Sequence, residues 1–183
     1  SGVWQTVWME EVPLQHIENI FITPIYKEST VKINIKGSLS KGRVRILADG
    51  QVVAEGELQH GQAKVFIPNC RSWHPDDPFL YDLEVCVGED KVISYFGMRE
   101  FGLETDPNGL AYPTLNGEAI FHNGLLDQGY WSDGMYTPPS DEAMIWDIKQ
   151  VKNLGFNMLR KHIKIEPLRW YYHYLTLYPD YMM

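Results

Sequence analysis

Residues 31–36, Val-Lys-Ile-Asn-Ile-Lys, alternate apolar and polar side chains without a break. Successive side chains on a strand point to opposite faces, so Val31, Ile33 and Ile35 must lie against a core while the polar residues between them face water. The same period of two recurs along residues 6–96. Thr6–Glu10 is expected to open the set, and His16–Ile22 to follow it and stop at Pro24. Arg43–Ala48 runs into Asp49-Gly50 and returns along Gln51–Ala54. Asp-Gly between two strand-like runs predicts a tight hairpin. Ala63–Ile67 ends at Pro68, Leu80–Val87 alternates again, and the chain turns at Gly88-Glu89-Asp90 to return along Lys91–Phe96. This succession of short strands and turn signals predicts an immunoglobulin-like β-sandwich over residues 1–103.

The pattern changes over residues 104–183. Glu104–Pro113 reads as a linker or a small hairpin, Ala119–His122 as a strand, and Gly124–Pro139 as a long loop. Ser140 is placed to cap a helix, with Asp141 and Glu142 at the positive end of its dipole. Met144, Ile148, Val151 and Leu154 supply one apolar stripe, and Gly155 stands where a terminating glycine belongs. Phe156–Arg160 is again strand-like, and Pro167 opens a second helix reaching to about Leu175. Strand, helix, strand, helix is the grammar of a parallel β/α fold. Two such units are too few to close an eightfold barrel, which takes about 250 residues. The second region therefore reads as the first two β/α units of an incomplete TIM barrel.

Composition narrows the function. Lys+Arg is 16 against Asp+Glu 24, a net charge of −8. A nucleic-acid binder needs a basic stripe, which this balance does not offer. No apolar run is long enough to span a membrane as a helix, and the first residues carry neither the charged nor the apolar region of a signal peptide. The compartment stays open between periplasmic, secreted and cytoplasmic. The two cysteines, Cys70 and Cys86, are too few for a disulfide framework and read as small buried hydrophobes. No histidine set has metal-ligand spacing, and no cofactor is implied. His16, His60, His74, His122 and His173 read as structural or surface residues. Aromatic residues are abundant, with six Trp and eleven Tyr. Trp4, Trp8, Trp73 and Trp146 are expected to pack in the sandwich core, at its corner and against the helix. Arg160 and His162 are two apart at the end of the second strand and so share a side.

Five stretches together resemble glycoside hydrolase family 2, the family of β-galactosidases, β-glucuronidases and β-mannosidases. Ser1–Val7 is similar to the junction that leads into the family's sandwich, and Trp73-His74-Pro75-Asp76-Asp77-Pro78-Phe79-Leu80-Tyr81 to its W-x-P-x-x-P-x-L-Y corner. Tyr95–Glu100 resembles the F-G-x-R segment, Leu115–Ile120 the first barrel strand and Gly155–His162 the second. The resemblance implies a retaining exo-glycosidase acting on O-glycosidic bonds, with β-galactosidase as the default label. Retaining enzymes use two carboxyl groups about 5–5.5 Å apart. In the family both are glutamates of later barrel strands, the acid/base following an Asn. This chain has no Asn-Glu dipeptide. It is therefore expected to hydrolyse nothing by itself and to hold no catalytic residue. The resemblance implies instead a pocket edge: Arg160 supporting the nucleophile, His162 lining the sugar subsite, and Asp127, Trp131 and Asp133 on the loop bordering it. The family's commoner Arg-x-x-His is here one residue shorter, Arg160-Lys161-His162. The last residues, Tyr172–Met183, also depart from the family, which continues with a Gly and an apolar third strand. A homo-oligomer through apolar surface in residues 118–180 is expected. The competing reading is a non-catalytic module whose sandwich binds carbohydrate or spaces domains.

Overall fold

The computed structural model describes residues 5–177. Trp4 and the last six residues, on which parts of the junction and tail readings fall, lie outside them. The chain divides into two compact units, one of residues 10–73 and 79–120, the other of residues 1–9, 74–78 and 121–183. The hairpin region beyond residue 103 thus groups with the strands before it, whereas the sequence divides at 103/104.

The first unit is the sandwich. Its seven principal strands are β1 (Ile17–Ile25), β2 (Thr30–Gly37), β3 (Gly42–Ala48), β4 (Gln51–Leu58), β5 (Gln62–Phe66), β6 (Tyr81–Val87) and β7 (Asp90–Phe96). One sheet has the order β1-β2-β5 and the other β4-β3-β6-β7, all antiparallel. The alternation in β2 works as expected: Val31 and Ile33 are fully buried. They join Val44, Ile46, Val65, Leu83 and Val85 in one core between the sheets. Asp49 and Gly50 both take positive φ, 49° and 76°, which matches the twist of the β3–β4 hairpin.

Two expectations fail here for backbone reasons. β1 runs through Pro24 to Ile25 because it is an edge strand, where proline's missing donor costs no ladder bond. Thr6–Glu10 forms no strand. Val7, Trp8 and Met9 are exposed, and no partner strand among the described residues supplies a ladder.

The same unit carries a three-stranded sheet of β8 (Phe101–Thr105), β9 (Ala111–Leu115) and β10 (Glu118–Ala119), in the order β10-β9-β8. Residues 104–113 are therefore a hairpin. Leu115–Ile120 is not a barrel strand. Asn116 and Gly117, with φ of 54° and 85°, form the two-residue turn that folds β10 back antiparallel on β9.

Three sequence motifs of this unit converge on Trp73, which is fully buried. Its N–H donates to the Met98 carbonyl at 2.9 Å, and its carbonyl accepts from Asn116 Nδ2 at 3.1 Å. The Arg99 guanidinium lies 4.6 Å from the indole centroid. Of the other tryptophans, Trp8 and Trp146 are 69% and 62% exposed, so neither serves as core. Cys70 and Cys86 are free thiols, only half-buried rather than enclosed.

The second unit contains β11 (Gly124–Asp127), α1 (Asp141–Asn153), β12 (Met158–Lys161) and α2 (Leu168–Leu177). β11 and β12 are parallel, so the stretch expected to be only loop after residue 124 begins with a strand. Ser140 Oγ accepts from Ala143 N–H and caps α1. The helix ends in a Schellman arrangement: Gly155, at φ 85°, donates to Lys152 O at 2.9 Å, and Phe156 N–H donates to Val151 O at 3.3 Å. Met144, Ile148, Leu159, Trp170 and Tyr174 form the core of this unit. No described helix is long and apolar enough to cross a membrane.

Candidate functional site

The candidate site lies within the second unit, at the ends of the two parallel strands. Register decides what each residue can do there. Leu125 stands beside Leu159, Leu126 beside Arg160, and Asp127 beside Lys161. Side chains alternate, so the rows fall on two faces. Leu159 and Lys161 lie on the helix-covered face. Leu159 is buried, and the Lys161 ammonium sits 4.3 Å from the Trp170 ring centroid. Leu126 and Arg160 lie on the opposite face, and both are exposed.

His162 follows just past the end of β12. Its N–H extends the ladder by donating to Asp127 O at 2.9 Å. Its ring is held by Gln128, whose Nε2 donates to His162 Nδ1 at 3.2 Å. An amide nitrogen only donates, so in this contact Nδ1 is the acceptor.

Asp127 falls on the other face, away from Arg160. Its Oδ2 accepts from Lys161 Nζ at 2.6 Å, and its Oδ1 accepts from Gly129 N–H at 2.7 Å. Both of its oxygens are thus engaged inside the protein. Trp131 is half-buried and packs against the core of Met144, Ile148 and Trp170. Asp133 is exposed and accepts from Ser132 Oγ at 3.2 Å. The structure thus leaves Arg160 exposed on β12 and places His162 just past the end of that strand, with Gln128 bonded to the histidine ring.

Sequence reasoning passed over a buried charged cluster behind these residues. Lys161 also donates to Glu166 Oε1 at 2.6 Å. Lys164 Nζ lies 3.1 Å from the same oxygen and donates to Gly129 O at 2.7 Å. The side chains of Lys161, Lys164 and Glu166 are only 6%, 1% and 1% exposed. Charges are buried at this depth when they are paired. The signal was available in Lys161-His162-Ile163-Lys164-Ile165-Glu166, where charge recurs between apolar residues beyond the strand end. Asp147, on α1, senses the cluster: burial pushes its carboxyl up, the Asp127 charge adds to this, and Lys161 opposes it. The described residues contain no metal-binding group of His, Cys, Asp and Glu.

The chain thus carries an all-β sandwich unit and a second unit with the order strand, helix, strand, helix. Residues 15–99 match the model of glycosyl hydrolases family 2, and this match, with the relatives and structures that follow, supports a fragment of that family. It is 25% identical over 188 aligned residues to a β-galactosidase of Streptococcus thermophilus, covering 93% of this chain and 18% of that protein. A β-galactosidase of Alteromonas mediterranea is 27% identical, with 93% and 18% covered. The chain spans about a fifth of the length of these curated relatives. Among solved structures, a β-glucuronidase of Faecalibacterium prausnitzii superposes with a TM-score of 0.78 at 22% identity, covering 91% of this chain and 27% of that one. A β-D-glucuronidase of Dictyoglomus thermophilum superposes at 0.80 with 17% identity, covering 93% and 29%. These superpositions support the fold.

Proposed function

We propose that this chain supplies the immunoglobulin-like sandwich and the first two β/α units of the catalytic barrel of a retaining exo-glycosidase. What supports the reading is that Arg160 is exposed on β12 and that His162 follows just past its end, at the ends of parallel strands, where barrel enzymes place their sites. An exposed guanidinium there offers a planar donor fork to a carboxylate supplied by another strand, which keeps that carboxylate ionised as a nucleophile requires. With Nδ1 accepting from Gln128, Nε2 of His162 offers a donor to a sugar hydroxyl. The relatives named for galactosides and glucuronides frame the substrate class as a β-linked hexose or hexuronide, with β-galactoside as the default. The two catalytic glutamates belong to later strands on this reading, so the chain alone hydrolyses nothing.

Leu126, Ile163, Ile165 and Leu168 of the second unit expose apolar surface, and their exposure supports self-association through residues 118–180. Sedimentation at high concentration tests that part, and a monodisperse monomer overturns it.

Assays with 4-nitrophenyl β-galactoside and β-glucuronide test the enzymatic reading. No release is expected from this chain. Release is expected from a polypeptide that also carries the later barrel strands, and it should fall by orders of magnitude in R160A. Turnover by this chain alone, or full activity of R160A in the longer polypeptide, overturns the reading.

A further inference from the structure

The charged cluster behind the strand ends encloses one residue of the site. Gln128, which bonds the His162 ring, has anchors on both sides. Its predecessor Asp127 is tied to Lys161 at 2.6 Å. Its successor Gly129 is tied through its carbonyl to Lys164 at 2.7 Å and through its N–H to Asp127 at 2.7 Å. Glu166 closes the ring of charges by accepting from Lys161 and pairing with Lys164 at 3.1 Å. The fit leaves no room at Gly129: a Cβ there would collide with Glu166 Oε1 and stand 2.8 Å from Lys164 Nζ, on a backbone already at φ 63°. The loop backbone is thus seated directly on the buried Lys164–Glu166 pair.

We propose that Lys161, Lys164 and Glu166 are positioning residues. They form a buried clasp that fixes the Asp127-Gln128-Gly129 backbone and, through Gln128, sets the His162 imidazole in the tautomer protonated at Nε2. The clasp touches no substrate. It acts on His162 from the helix-covered face of the same two strands, the face opposite Arg160. Its importance for sugar binding rests on the reading of His162 given above. A neutral imidazole free to exchange tautomers presents a donor only part of the time, whereas one whose Nδ1 is occupied presents Nε2–H throughout.

Long-range ¹H–¹⁵N spectra of the imidazoles in the full chain read this directly. In the unmodified protein near neutral pH, the two His162 nitrogens should show the wide shift separation of a fixed Nε2–H tautomer. Q128A should collapse that separation and so establish the direct bond. K164M should collapse it too. Amide exchange over residues 128–137 should then accelerate at least tenfold, while α1 keeps its protection. K164R, which retains a donor, should restore part of the separation. A folded K164M with unchanged His162 shifts and unchanged loop exchange overturns the clasp. Where K164M does not fold, D127A opens the clasp from the loop side, and an unchanged His162 signal in it overturns the proposal equally. The two readings fail separately. Collapse of the tautomer without loss of glycoside release in K164M of the longer polypeptide removes His162 from sugar binding but leaves the clasp. An unchanged tautomer removes the clasp but leaves the sugar reading.

Discussion

Gly97 lies flat against the indole of Trp73: a Cβ built on Gly97 would stand 3.0 Å from two ring carbons. Trp73 is fully buried and bonded through its backbone to Met98 and Asn116, so the ring has no room to retreat. The F-G-x-R segment therefore needs its glycine for close approach, and its arginine covers the indole at 4.6 Å. G97A should destabilise the sandwich by roughly 1–3 kcal/mol, the usual cost of overpacking a core. Urea unfolding followed by Trp fluorescence checks this. An unchanged midpoint would show that Trp73 can shift.

Tyr81 closes the same corner motif from β6. Its ring is buried, and its oxygen accepts from Arg71 N–H at 2.7 Å. Burial pushes the phenol up to about 12, so it stays protonated across the physiological range. Y81F keeps the ring stacked on Phe96 but deletes the acceptor for Arg71. The expected cost is about 1–3 kcal/mol, with faster exchange confined to the Arg71 amide and its neighbours. Hydrogen exchange measured residue by residue separates this from a general loosening of the core.

The sandwich was legible because its signals are local. Strict alternation in Val31–Lys36 and the Asp49-Gly50 turn each specify their geometry within a few residues. The Leu115–Ile120 expectation failed although its Asn-Gly turn signal was present. Resemblance to a barrel strand outweighed a two-residue hairpin with both φ values positive. At the site, spacing offered only the expectation that Arg160 and His162 share a side, by alternation along a single strand. It did not reveal that Asp127 lies on the opposite face. That follows from the Leu126–Arg160 and Asp127–Lys161 register, a relation between two strands joined by a helix. The lysine–glutamate cluster is non-local in the same way. It exists only where the fold brings Asp127 and Gly129 onto Lys161 and Lys164.

Ser140 tests how far α1 depends on its own ends. Its hydroxyl accepts from Ala143 N–H at 3.2 Å, with Asp141 and Glu142 completing an acidic first turn. S140A removes the acceptor without touching the core residues Met144 and Ile148. It should cost about 1 kcal/mol, as removal of a helix N-cap usually does. Thermal melting followed by circular dichroism checks it. S140D should recover most of the loss, since a carboxylate both accepts the bond and faces the positive helix end.

Asp147 gives the molecule a pH dependence whose sign follows from its surroundings. Burial raises its carboxyl first, the nearby Asp127 charge raises it further, and Lys161 opposes both. The folded protein therefore holds a proton on Asp147 more tightly than the unfolded chain does. Stability linked to this group is fully present below the ordinary aspartate value, about 3.9, and is lost as the pH rises through the higher value of the folded state. Asp147→Asn keeps the shape and removes the ionisation. The variant should unfold at higher urea than the unmodified protein near neutral pH, with an unchanged denaturant slope. Its advantage should shrink towards zero as the pH falls below the ordinary aspartate range, because Asp147 is then protonated in both states. Urea midpoints of the two proteins, compared from neutral pH down to about pH 3, decide it. A difference that stays constant across that range would assign the effect to packing of the amide and remove Asp147 from the electrostatics of the Lys161 cluster.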